Sequence, residues 1–150
     1  MKRVLPFLLC LAVLTTGTQY LQAQVRKIPA SATDAFKAKY PNASKVEWKD
    51  KLTSFTADFE MNGAAYEAKF SNKGEWLSTE SKIEKESVPS PVMDGYGKSK
   101  YADWNIKTIY KIDLPGDTTQ YRIQVVKSDI QKKNLLFNST GRLLKDNATL

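Results

Sequence analysis

The residues of this chain that could do chemistry are carboxylates, lysines and hydroxyls. It has no histidine, and its one cysteine is Cys10. That leaves no Ser-His-Asp triad and no ordinary zinc or copper ligand set. No glycine-rich phosphate loop is present. Asp58 with Glu60 or Glu67 is the obvious carboxylate set for acid–base work on a sugar. All three fall on strand positions expected to face water, where nothing raises a carboxyl pKa as a general acid requires. The chain therefore reads as non-catalytic, with no cofactor and no metal site.

Its first residues read as an export signal. Lys2 and Arg3 make a positive start, Val4 to Leu14 is an apolar run broken by Pro6, and a polar stretch ends Leu21-Gln22-Ala23-Gln24. The run is too short for a mature membrane span and has the charge, core and small-residue exit of a secretory signal. Cleavage is expected after Ala23. Leu9 before Cys10 is too large for a lipid-attachment site. Loss of residues 1–23 removes Cys10 and takes the formal charge from +7 to +5. An exported chain without disulfides relies on its core alone. No later apolar run approaches the roughly 18 residues of a span. The expected product is soluble, periplasmic or secreted, with no stable membrane insertion. The densest lysine pairs, Lys98 with Lys100 and Lys132-Lys133, have no accompanying stripe of aromatic and basic residues, which argues against nucleic acid.

The elements that must position any site follow from turns and periodicity. The segment from Ile28 reads as two copies of one helix-plus-four-strand unit, at residues 24–86 and 87–150, forming one compact domain. Ile28-Pro29, then Asp34-Ala35-Phe36 and Tyr40, answers to Val88-Pro89, then Asp94-Gly95-Tyr96 and Tyr101. Phe70-Ser-Asn-Lys-Gly74-Glu-Trp76-Leu77 answers to Phe137-Asn-Ser-Thr-Gly141-Arg-Leu143-Leu144. Proline opens each expected helix, where a helix tolerates it. Gly95 and Gly97 cost the second helix roughly 1 kcal/mol each relative to alanine. Alternating strands follow each helix, and Asn62-Gly63 is a strong hairpin signal because both residues accept positive φ.

Strict alternation buries one sheet face and leaves the other to water. The expected fold is α+β, an antiparallel sheet of up to eight strands with both helices on one face. Trp48, Phe55, Phe59, Tyr66, Phe70 and Trp76 share the parity of the covered face. The open face is expected to carry Glu47, Asp58, Glu60, Glu67 and Lys69, then Lys107, Lys111, Arg122 and Gln124. Singly these read as solvated side chains with weak cross-strand pairs; together they form a rigid surface for a partner. The candidate contact residues are Glu47, Asp58, Glu67, Lys69, Lys107, Arg122, Gln124 and Trp104. Trp104 reads equally as an exposed contact or as a lid on the core.

The pattern resembles the β-lactamase-inhibitor-like, PepSY-like domains exported by bacteria of the Bacteroides group. The carrying features are the two hydrophobic-Pro openings, Phe36-x-x-x-Tyr40-Pro41-Asn42-Ala43, Val46-x-Trp48 and Tyr66-x-Ala68-x-Phe70-x-x-x-Gly74-x-Trp76. The resemblance covers roughly residues 26–146. It implies a non-catalytic domain that binds proteins or peptides of the cell envelope; fold alone does not fix the partner, and β-lactamase inhibition is not expected. In the second unit Tyr101-Ala102-Asp103-Trp104 departs from the Tyr-Pro-Asn-Ala of the first. Asp117-Thr118-Thr119 looks like that group's O-glycosylation motif, with Thr118 as acceptor. The function expected is recognition of an unidentified envelope protein or peptide. The alternatives are a small-ligand or ion sensor and a glycan or anionic-surface contact protein. The oligomeric state is not legible from the sequence.

Overall fold

The computed structural model describes residues 26–148; the expected signal segment lies outside them. Helix α1 (Ala30–Lys39) precedes strands β1 (Ser44–Asp50), β2 (Ser54–Met61), β3 (Ala64–Ser71) and β4 (Trp76–Ile83). A 3-10 turn (Lys85–Ser87) and helix α2 (Ser90–Gly97) lead to β5 (Asn105–Leu114), β6 (Thr118–Val126), β7 (Lys132–Asn138) and β8 (Leu143–Ala148). The eight strands form a single sheet in chain order, each antiparallel to the next. The two halves join through β4 and β5, from Thr79↔Asp113 to Ile83↔Ile109.

Both helices lie on one face. From α1 and its C-cap, Ala32, Phe36 and Tyr40 pack on Ala57, Phe59, Ala68 and Phe70. The Phe36 ring meets Phe59 edge-on at 5.0 Å and Trp48 at 5.5 Å, contacts worth about 0.5–1.5 kcal/mol each beyond their buried area. From α2, Val92 and Tyr96 pack on Ile109, Tyr121, Ile123, Leu135 and Phe137. The register runs Phe55↔Phe70 and Ala57↔Ala68 in the first half and Ile109↔Ile123↔Leu135 in the second, so both clusters share one side of the sheet. The six rings assigned to that side all lie there. Phe55, Phe59 and Phe70 are buried, and Trp48, Tyr66 and Trp76 are half-buried. The buried Thr79 hydroxyl accepts the Trp76 Nε1 proton at 2.8 Å and hydrogen-bonds the Tyr40 hydroxyl, so the polar atoms under α1 are satisfied.

Turns and bulges shape the sheet. Asn62 and Gly63 both take positive φ, 52° and 78°, in the two-residue β2–β3 hairpin. One-residue slips of register fall in β1 before Glu47, in β4 at Leu77, in β5 at Lys107 and in β8 at Leu144. Such bulges bend a strand and increase its twist. Each helix rests its first turn on a glycine turn of the sheet. A Cβ at Gly74 would lie 2.5 Å from Ser31 Oγ, and one at Gly141 would lie 1.9 Å from the Pro91 carbonyl oxygen.

Arg26 anchors the start of the described chain. Its Nε donates to Asp50 Oδ2 at 2.9 Å, Nη2 bonds Oδ1, and the guanidinium lies 4.8 Å from the Phe55 ring centroid. The hydrogen bonds from Arg26 lower the Asp50 pKa from 3.8 to about 2. A depressed carboxyl contributes stability that is present above its unfolded pKa and lost as pH falls through the folded one. Arg26→Ala is therefore expected to melt below wild type at neutral pH. The gap should stay full down to about pH 4 and close toward pH 2. Thermal melts across that range check it; a gap independent of pH would contradict it.

Candidate functional site

Among the described residues no helix covers the other side of the sheet, and its side chains come from alternate positions of every strand. Across β1 to β4 the register places Glu47↔Asp58, Asp58↔Glu67 and Glu67↔Glu80 directly opposite one another. Four carboxylates thus form one row across four adjacent strands. Like charges in that relation repel, so the arrangement depends on cations beside it. Lys49 pairs with Asp58, Lys45 with Glu60 at 2.9 Å, and Arg122 with Glu80. Lys69 lies on the neighbouring rung, between Thr56 and Ser78. A cleft of about 510 Å³ follows the row and is walled by Glu47, Asp58, Glu67, Glu80, Tyr110 and Arg122.

Parts of this face are dry. Thr56 and Ile112 are 3% and 7% exposed although no helix lies over them. Burial on an uncovered face comes from the neighbouring side chains of that same face. Arg122 places its guanidinium 4.6 Å from the Tyr110 ring centroid while bonding Glu80. Burial raises the Glu80 pKa, and the charge of Arg122 opposes that rise. Three buried side-chain atoms in the described residues lack any hydrogen-bond partner within the protein: Thr56 Oγ1, Arg122 Nε and Asn134 Oδ1. All three belong to this face by register, since Thr56 is in line with Lys69, and Gln124, beside Arg122 on β6, faces Asn134.

Of the eight residues expected to form the contact surface, six stand together here: Glu47, Asp58, Glu67, Lys69, Arg122 and Gln124. Lys107 and Trp104 do not join them. Lys107 is the extra residue of the β5 bulge, and Trp104 packs on the second core cluster with its ring edge-on to Tyr101 at 5.2 Å. Of the two readings open for Trp104, the structure takes the lid on the core. Lys111, expected beside Lys107, turns to the helix side, opposite Ser81 and Tyr121. There it bridges Asp113 at 3.0 Å, in the gap between the two helices, of which α1 contacts β3 and β4 and α2 contacts β7. Sequence reasoning missed Glu80, Tyr110, Ile112, Asn134 and Leu136. Glu80 was accessible through the alternation Ser78, Glu80, Lys82 once Leu77 is recognised as a bulge. Tyr110 and Ile112 carry no such signal, because they look like core residues.

Among the described residues no group of three or more His, Cys, Asp or Glu is arranged to hold a metal ion. No helix among them is long and apolar enough to cross a membrane.

An eight-stranded antiparallel sheet, clad with two helices on one face and bare on the other, defines a class of small α+β domains. The profile of the family described as "Putative beta-lactamase-inhibitor-like, PepSY-like" matches residues 53–145, and the chain belongs to that family. Its fold is similar to that of a "putative periplasmic" protein from Bacteroides eggerthii, with 26% identity, a TM-score of 0.74 and coverage of 82% of this chain and 90% of that one. It is also similar to a BLIP-like protein from Bacteroides fragilis, at 25% identity, TM-score 0.72, and coverage of 83% and 88%. A DUF2874 family protein from Bacteroides uniformis shares the fold at 23% identity and a TM-score of 0.75, over 81% and 90%. No curated protein gives a significant match.

Proposed function

We propose that this protein is a non-catalytic binding module, periplasmic or secreted, that recognises a protein or peptide through its uncovered sheet face. One observation carries the reading. Every buried side-chain polar atom left without a partner in the described residues lies on that face. A buried donor or acceptor without a partner costs about 1–3 kcal/mol. Arg122 and Asn134 are side chains of an uncovered face, so a partner seated there that draws them outward supplies both missing kinds of group, a carbonyl for Arg122 Nε and an N–H for Asn134 Oδ1. The description of a relative as periplasmic supports the compartment, as does the signal-like start of the chain.

The contact set is Glu47, Asp58, Glu67, Lys69, Arg122 and Gln124, extended by Glu80, Tyr110 and Asn134. The reading also takes the chain as two copies of one unit, 24–86 and 87–150. The paired bulges at Leu77 and Leu144, and the helix starts seated on Gly74 and Gly141, support that division.

The test is affinity capture from an envelope extract, comparing wild type with a Glu47→Lys, Glu67→Lys, Lys69→Glu variant. All three side chains are exposed, so the variant is expected to fold and to lose the partners that wild type retains. Equal recovery of the same partners would overturn the assignment of the face.

A small-ligand role has one observation in its favour. A groove of about 650 Å³ runs between α1 and β1, lined by Phe36, Tyr40, Pro41, Val46 and Trp48, within the size range of small-molecule sites. A ligand bound there raises the melting temperature in a thermal-shift screen, and the open-face variant responds to it as wild type does.

A further inference from the structure

Strand β5 outruns its neighbour. Pairing between β4 and β5 ends at Ile83↔Ile109, yet β5 begins four residues earlier, at Asn105. On its other side this segment pairs with β6, through Asn105↔Val126, Ile106↔Val125 and Thr108↔Gln124. On the β4 side the chain departs into the 3-10 turn. The backbone bonds of that turn are its own, from Ser87 to Glu84 and from Val88 to Lys85. Among the described residues nothing pairs with the β4 side of residues 105–108, which therefore present a short strand edge. It borders a cleft of about 500 Å³ that separates it from residues 82–85 and is walled on the helix side by Tyr96, Ala102 and Trp104.

The charges of the cleft have one dominant sign. Lys82, Lys85 and Lys107 line it, against the single carboxylate of Glu84. None of the three lysines takes part in a salt bridge in the described residues. The bulge at Lys107 breaks the alternation that would otherwise put its side chain on one face of the sheet. A strand edge supplies main-chain hydrogen bonds to an extended peptide, and flanking side chains select what that peptide carries.

We infer that this cleft is a second docking site, for a short extended segment of a partner protein whose side chains carry carboxylates. The segment pairs with the β5 edge at Asn105–Thr108, and its acidic side chains meet Lys82, Lys85 and Lys107. Lys107 and Trp104, which fall away from the open sheet face, both belong to this cleft. The inference goes beyond recognition through that face and stands or falls separately from it.

Fluorescence anisotropy with a labelled, C-terminally amidated hexapeptide of alternating glutamate and valine tests it. Saturable binding is expected, weakened by salt as screening requires. The lysine–valine counterpart should not bind. A Lys85→Glu, Lys107→Glu variant should lose about tenfold or more in affinity, and the same peptide with alternate backbone nitrogens methylated should also fail to bind. Both lysines are exposed, so circular dichroism of the variant should match wild type. The Glu47→Lys, Glu67→Lys, Lys69→Glu variant should bind the glutamate peptide as wild type does, which separates this site from the open face. Lysines also guard strand edges against pairing; if that is their whole role, no peptide saturates, and the inference is overturned. Binding that survives either the charge reversal or backbone methylation would overturn it too.

Discussion

Gly95→Ala is expected to destabilise the protein by about 2 kcal/mol, while Gly97→Ala in the same helix is expected to stabilise it slightly. Helix propensity alone favours alanine at both positions, by up to about 1 kcal/mol. Packing decides otherwise at Gly95. A Cβ there would sit 1.8 Å from the Gly141 carbonyl oxygen and 2.7 Å from the carbonyl carbon, both backbone atoms that no rotamer change can move. Overpacking of this kind costs roughly 1–3 kcal/mol or more, and it would lift Val92, which is fully buried, off the second core. At Gly97 nothing lies within 4 Å of the added methyl. Chemical denaturation of the two variants should give midpoints on opposite sides of wild type. Equal shifts in one direction would show that α2 does not rest on the Gly141 turn. The glycines that weaken α2 as an isolated helix are thus what allow it to approach the sheet.

Arg122→Leu should lower stability at pH 7 by roughly 1–2 kcal/mol, below the usual cost of breaking a buried pair because Arg122 and Glu80 retain some exposure. The loss comes from Glu80, left half-buried without its cation. Its carboxyl is already raised by burial, and the substitution raises it further. A carboxyl whose folded pKa lies above its unfolded value binds more protons in the native state. Stability therefore increases as pH falls through that raised value. The deficit of the variant should shrink on acidification, and a Glu80→Gln, Arg122→Leu double variant should not show that recovery. Denaturant midpoints at neutral and mildly acidic pH distinguish the two. A deficit that stayed constant with pH would mean that Arg122 acts only through its packing on Tyr110.

Much of the framework was legible because it rests on local rules. Pro29 and Pro89 immediately precede their helices, Asn62-Gly63 makes the hairpin, and Phe55, Phe59, Tyr66 and Phe70 alternate as a half-covered sheet demands. The site was legible in its first half for the same reason. Errors gather where alternation fails. The bulge at Lys107 shifts the parity of β5, and a slip of one residue exchanges faces for all that follows. A second cause is the gap between the helices. Over β4 and β5 the helix-side face bears Thr79, Ser81, Lys111 and Asp113, while Tyr110 and Ile112 face the other way. Polarity there no longer reports which side is covered. The Glu80–Arg122 pair spans β4 and β6, strands that are not hydrogen-bonded neighbours, and no spacing in the sequence reveals it.

Carboxyl footprinting of the protein in complex with its captured partner tests the docking surface most directly. Glu47 and Glu67, both exposed on the uncovered side, should lose reactivity on binding, while Asp34 on α1 and Asp94 on α2 should keep theirs. Protection confined to Asp34 and Asp94, with Glu47 and Glu67 unchanged, would place the partner on the helices and contradict the account.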